Sequence, residues 1–227
     1  MNKLTRMLKK YTKIAIAATV VLGAPVASAD SYPLDTCPVT GEKLGSMGEP
    51  IVKNYDGREI RFCCAGCPKK FESDLAGSLA KVDEAIVKQQ SPYYPLTTCA
   101  VSGAKLGSMG DPIEMVYQNR LVRLCCEGCI KKVEADPAKY LAIVDEAVIA
   151  QQQKTYPLKT CVVSGEALGS MGDPIDRVFA NRLVRLCCKG CVKDFEKDPV
   201  KFLSKLDEAS PGGAAKSDAH DHGDHKH

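Results

Sequence analysis

Arg58-Glu-Ile-Arg-Phe-Cys-Cys-Ala-Gly-Cys67 decides the fold, because it returns twice more. It recurs as Arg120-Leu-Val-Arg-Leu-Cys-Cys-Glu-Gly-Cys129 and as Arg182-Leu-Val-Arg-Leu-Cys-Cys-Lys-Gly-Cys191. In each copy a strand with alternating apolar residues runs into a cysteine pair, and a helix is expected to begin near the last cysteine. In the first copy a second alternating run, Ile51 to Tyr55, precedes it across Asp56-Gly57, a strong two-residue hairpin signal. The equivalent turns, Gln118-Asn119 and Ala180-Asn181, keep a residue tolerant of positive φ at the second position.

Upstream of each hairpin a turn holds one more cysteine: Cys37-Pro-Val-Thr-Gly41, Cys99-Ala-Val-Ser-Gly103 and Cys161-Val-Val-Ser-Gly165. A glycine-rich loop, Leu-Gly-Ser-Met-Gly from Leu44, Leu106 and Leu168, separates turn from hairpin. Downstream, Asp136-Pro137 and Asp198-Pro199 announce a further helix, an N-cap residue followed by proline at the first helical position. Its apolar residues Tyr140, Leu141, Val144 and Val148 keep helical spacing. The first copy has Asp74-Leu75-Ala-Gly-Ser78 here, so its helix is expected to start less firmly.

All twelve cysteines obey one rule. Those at 37, 63, 64 and 67 reappear 62 residues later as Cys99, Cys125, Cys126 and Cys129, and after another 62 as Cys161, Cys187, Cys188 and Cys191. That period exceeds the solenoid range of roughly 20–50 residues. The expected class is therefore α+β: three tandem small treble-clef-like modules, each a knuckle turn, a β-hairpin and one or two helices. They run over 31–90, 93–152 and 155–209.

Two flanks remain. Residues 1–29 carry Lys3, Arg6, Lys9, Lys10 and Lys13, then an apolar run from Ile14, then Ala27-Ser28-Ala29, the pattern of a secretory signal peptide. The apolar run is too short for the roughly 20 residues of a spanning helix. The expectation is an exported protein, periplasmic or extracellular, with no membrane span after cleavage. Cleavage would remove five of the 31 basic residues and none of the 28 acidic ones. With 26 bases against 28 acids left, no concentrated basic face points to a nucleic-acid partner. Residues 210–227 form a Gly-, Ala- and Asp-rich tail expected to be disordered. It holds all four histidines, His220, His222, His225 and His227, a candidate secondary metal site.

Each module offers only about a dozen substantial apolar side chains, and domains below about 70–80 residues rarely hold together by burial alone. The cysteines are the natural staple. Metal is one way: a turn before the hairpin and a pair after it converge thiolates on one point, the layout of treble-clef-like zinc sites. Disulfides are the other, since an exported chain with an even cysteine count per copy fits a disulfide framework. A disulfide closing about 25 residues contributes roughly 3 kcal/mol, against roughly 10–16 kcal/mol for a structural zinc in finger peptides. Either suffices.

Cys-Pro-Val-x-Gly, a hairpin, Phe-Cys-Cys-x-Gly-Cys-x3-Phe and Asp-Pro-x-Lys-Tyr-Leu together resemble the TRASH/YHS-type domains. Those are small treble-clef-like modules implicated in heavy-metal sensing, trafficking and resistance. The resemblance spans the three modules and implies three ligands in each: the knuckle cysteine (Cys37, Cys99, Cys161), the first of the pair (Cys63, Cys125, Cys187) and the last (Cys67, Cys129, Cys191). Knuckle spacing read from Cys67 backwards favours Cys64 over Cys63, and the two readings stay open. Thr40, Ser102 and Ser164 stand where a zinc knuckle often has its second cysteine. A closed zinc site wants four ligands, whereas three thiolates suit Cu(I).

The functional expectation is a soft-metal-binding protein, Cu(I) or Zn(II), about one ion per module, for storage, trafficking or resistance. Partners would be metal ions, with a metal transporter or chaperone as the candidate protein partner. The alternative is a disulfide-stapled scaffold, with thiol redox activity third through Cys64-x-x-Cys67. No module contains a histidine, so the usual Cys–His nucleophile pair cannot form there, and an enzyme is not expected. Met47, Met109 and Met171 are read as gap-filling rather than as thioether ligands. Arg61, Arg123 and Arg185 are read as solvated strand-face residues rather than as thiol activators.

Overall fold

The computed structural model describes residues 31–210. The N-terminal segment read as a signal peptide and the four tail histidines lie outside them. The element order repeats three times. The first module has β1 (Ile51–Tyr55), β2 (Arg58–Phe62), α1 (Cys67–Ser73) and α2 (Leu75–Gln90). The second has β3 (Ile113–Tyr117), β4 (Arg120–Leu124), a 3-10 turn at Glu127–Cys129, α3 (Ile130–Ala135) and α4 (Pro137–Gln152). The third has β5 (Ile175–Phe179), β6 (Arg182–Leu186), α5 (Lys189–Lys197) and α6 (Pro199–Ala209). The α+β reading stands.

The hairpins follow from their turn dipeptides. Both turn residues lie at positive φ in each copy: 52° and 82° at Asp56-Gly57, 45° and 68° at Gln118-Asn119, 51° and 58° at Ala180-Asn181. That backbone matches the right-handed strand twist and fixes the register. Tyr55 pairs with Arg58, Tyr117 with Arg120 and Phe179 with Arg182. Alternation then sends Ile60 and Phe62, Val122 and Leu124, and Val184 and Leu186 inward. Each module has its own small core, in which those residues meet the cysteines and the helices.

The first long helix does not start weakly. Asp74 accepts a hydrogen bond from the Gly77 N–H at 3.2 Å, just as Asp136 accepts from Lys139 at 3.3 Å. Both helices are 16 residues long. In these two helices the N-cap carboxylate holds the first turn, with or without proline at the next position.

The modules also pack on one another. Helix α2 lies against the β3–β4 hairpin and α4 against β5–β6. Val144 and Val148 of α4 share a core with Leu183 of β6 and with Tyr94, Leu96 and Tyr156. Polar side chains run through these seams, Gln90, Asn119 and Asn181 fully buried and Gln152 partly so. Gln90, at the end of α2, donates to the Asn119 carbonyl at 2.8 Å and accepts from the Leu121 N–H at 2.9 Å. Gln152 repeats this 62 residues on, with Asn181 at 2.9 Å and Leu183 at 2.8 Å. Each turn asparagine reaches back to the preceding hairpin: Asn119 to the Glu59 carbonyl at 2.9 Å, Asn181 to the Leu121 carbonyl at 3.0 Å. Asn181 also donates to Gln90 at 3.2 Å, which joins the first module to the third. Among the described residues no helix is long and apolar enough to cross a membrane.

Candidate metal centres

The knuckle turn is the same object three times. The N–H of Cys37, Cys99 and Cys161 donates to the carbonyl of Glu42, Ala104 and Glu166 at 2.8 Å, and Gly41, Gly103 and Gly165 donate back at 2.8–2.9 Å. Those glycines sit at φ 75°, 72° and 79°, which a side chain would resist. The turn aims its cysteine at the end of the hairpin, where the chain bends at the cysteine pair and enters the helix.

Three sulfurs converge there in each module: Cys37, Cys63 and Cys67; Cys99, Cys125 and Cys129; Cys161, Cys187 and Cys191. Within each trio all Sγ atoms lie within 4.8 Å of one another, and all nine residues are buried. Closer edges are 3.7 Å for Cys63–Cys67, 3.8 Å for Cys99–Cys129 and Cys125–Cys129, and 3.7 Å for Cys187–Cys191. Sulfurs bound about 2.3 Å from one ion lie about 3.8–4.0 Å apart. Each trio can therefore hold a metal ion with little movement.

The two members of each adjacent pair are placed differently. Cys63, Cys125 and Cys187 turn inward to the trio, while Cys64, Cys126 and Cys188 fall outside the mutually close set and are half-buried. Each of these fourth sulfurs still lies near the last cysteine, at 3.3, 3.8 and 3.7 Å.

Thr40, Ser102 and Ser164 have a role that their place in the knuckle did not announce. Their hydroxyls lie 3.3, 3.2 and 3.3 Å from the sulfurs of Cys63, Cys125 and Cys187. A hydroxyl stands where a fourth thiolate would be in a zinc knuckle, and it can donate to a thiolate of the trio.

The knuckle thiols are tuned by donors. Burial pushes Cys37 up, but the backbone N–H of Cys63, the Thr40 hydroxyl and the N–H groups of Val39 and Thr40 outweigh it and hold it at about 6. Against the same burial, Cys99 is held at about 6 by the N–H groups of Cys125, Ser102 and Val101 and the Ser102 hydroxyl, and Cys161 by the equivalent donors of Ser164, Cys187 and Val163. Burial and neighbouring sulfurs push the last cysteines the other way, Cys129 and Cys191 to about 12 and Cys67 also upward. Each trio thus holds one ready thiolate at neutral pH and one thiol that ionises only when an ion replaces its proton. In reduced, metal-free protein, ultraviolet thiolate absorbance should include one knuckle anion per module appearing as pH rises through about 6, well below the usual thiol value of about 8.5. Cys99→Ser should remove one of the three. A titration with no absorbance change below about pH 8 would refute this.

Two other expectations change. Arg61, Arg123 and Arg185 are half-buried and ion-paired rather than freely solvated, and they are not among the causes that lower the knuckle thiols. They pair with Glu59, Glu114 and Asp176 at 2.7–2.9 Å, and Arg123 and Arg185 lie over the rings of Tyr94 and Tyr156. Met47, Met109 and Met171 fill no gap: their exposures are 65, 65 and 66%. Positive φ at the flanking glycines, 86° and 110° around Met47, turns that loop outward.

Family models, characterised proteins and solved structures were compared with the chain, and none matches.

Proposed function

We propose that this is an exported soft-metal-binding protein carrying one ion per module on three cysteine thiolates, for storage, trafficking or resistance. The observation that carries it is the convergence of three buried sulfurs on one point in every module. Disulfides join sulfurs in twos and give no reason for a third to sit equally close. Three thiolates with a hydroxyl in the fourth knuckle position suit Cu(I), which accepts three soft ligands, better than a closed zinc site, which wants four. The trio is the ligand set implied by the TRASH/YHS resemblance. The basic, apolar and small-residue sequence of 1–29 supports export. The absence of histidine from the modules supports a binding protein rather than an enzyme.

Full-length protein purified without oxygen from the compartment where it accumulates should carry about three soft ions per chain, one for each sulfur trio. Its thiols should be protected from alkylation until the ions are removed. Protein that carries no metal, takes up neither Cu(I) nor Zn(II) when reduced, and shows two disulfides per module would replace this function with the disulfide scaffold.

A further inference from the structure

The fourth cysteine of each module has no place in the trio, yet it recurs three times in the same position. Cys64, Cys126 and Cys188 are the cysteines that solvent reaches, while the nine others are buried. Their sulfurs lie 3.3–3.8 Å from those of Cys67, Cys129 and Cys191, each of which belongs to a trio. The other partners are worse. Cys63 is the adjacent residue, for which a disulfide is strained, and Cys37 lies outside the close set of Cys64. Cys-x-x-Cys at the start of a helix is moreover the spacing at which cysteines exchange disulfides.

We propose that Cys64, Cys126 and Cys188 are redox release residues: oxidation joins each to the last cysteine of its module, removes that sulfur from the trio and frees the ion. The proposal rests on the metal function above. The oxidant is a low-molecular-weight disulfide. The Cys64 thiolate attacks one of its sulfurs, forming a mixed disulfide and expelling the first thiolate. The Cys67 sulfur then attacks Cys64, giving up its bond to the ion as the new S–S bond forms and the second thiolate leaves. The two cysteines lose two electrons, which end on the two thiols released from the oxidant. Two thiolates are left for the ion, which is held more weakly than by three and passes to a competing ligand.

The test uses full-length protein loaded with Cu(I) under reducing conditions, freed of reductant and mixed with a colorimetric Cu(I) chelator. Oxidised glutathione should accelerate release by about tenfold or more, and peptide mapping should then find Cys64–Cys67, Cys126–Cys129 and Cys188–Cys191 links. The triple variant C64S/C126S/C188S should load as the parent does and release its copper at one rate with or without oxidant. Equal acceleration in the variant, or links that map to Cys63–Cys67 or Cys37–Cys63, would overturn the proposal. If the parent takes up no metal, the metal function fails. The same mapping on oxidised metal-free protein then decides the pairing: Cys64–Cys67 links uphold it, and any other connectivity removes it.

Discussion

Cys125→Ser in the full-length chain should lower its bound soft metal from about three ions to about two, whereas Cys126→Ser should leave about three. The residues are neighbours in sequence with the same chemistry, so composition cannot explain such a contrast. Geometry does. The Cys125 sulfur is in the buried trio with Cys99 and Cys129, and its removal leaves two thiolates and a hydroxyl. The Cys126 sulfur is outside that set and half-buried. Losing one of three thiolates should cost at least tenfold to a hundredfold in affinity, the scale at which even outer-shell partners of a metal count. The other two centres should be untouched, because no ligand is shared between modules and distant sites act additively. Metal content by mass spectrometry of the intact, reduced protein reads the result. Equal losses in the two variants would mean four thiolates per centre and would sink the three-thiolate site.

This contrast was only half legible in the sequence. Strand alternation places Ile60 and Phe62 inward and, continued to Cys64, would bring that sulfur rather than Cys63 to the knuckle cysteine. The strand ends at Phe62, however, and the chain bends at Cys63 and Cys64, so the period of two no longer applies and Cys63 turns in. The hairpins themselves were legible to the residue, because Asp56-Gly57 and its equivalents fix the turn and the turn fixes the register. What the residues hid was the packing between modules. Glutamine at a helix end and asparagine in a tight turn read as solvent-facing, since such residues are mostly exposed. Gln90, Asn119 and Asn181 are instead fully buried. Two hints were present. One was the shortage of apolar residues per module, which neighbours can relieve as well as metal can. The other was Ala180 in a left-handed turn position, a conformation costing about 1–2 kcal/mol without glycine that the buried seam around Asn181 offsets.

Gln90→Ala should accordingly lower the stability of the metal-free, reduced chain by about 3 kcal/mol. It removes the partner of the Leu121 N–H, the donor to the Asn119 carbonyl and an acceptor of the Asn181 amide, all at a seam that water does not enter. Each buried polar group left unpaired costs roughly 1–3 kcal/mol, more than the net gain of forming its bond. Some of that loss is recovered if water enters the space that the shorter side chain leaves. Over a body of this size the melting temperature should fall by about 6–12 °C. Gln89→Ala is the control. Gln89 precedes Gln90 on the same helix but is only partly buried, and its amide donates to one carbonyl, that of Pro33. Its loss should cost about 1 kcal/mol or less. The comparison also tests whether the repeat is three beads or one body. Gln90 belongs to the first module, yet its partners lie in the second and third. If the modules folded separately, Gln90→Ala would melt like Gln89→Ala and the unfolding would show several steps. If they fold as one body, Gln90→Ala moves a single cooperative transition, seen alike by circular dichroism and by thiol accessibility in all three modules.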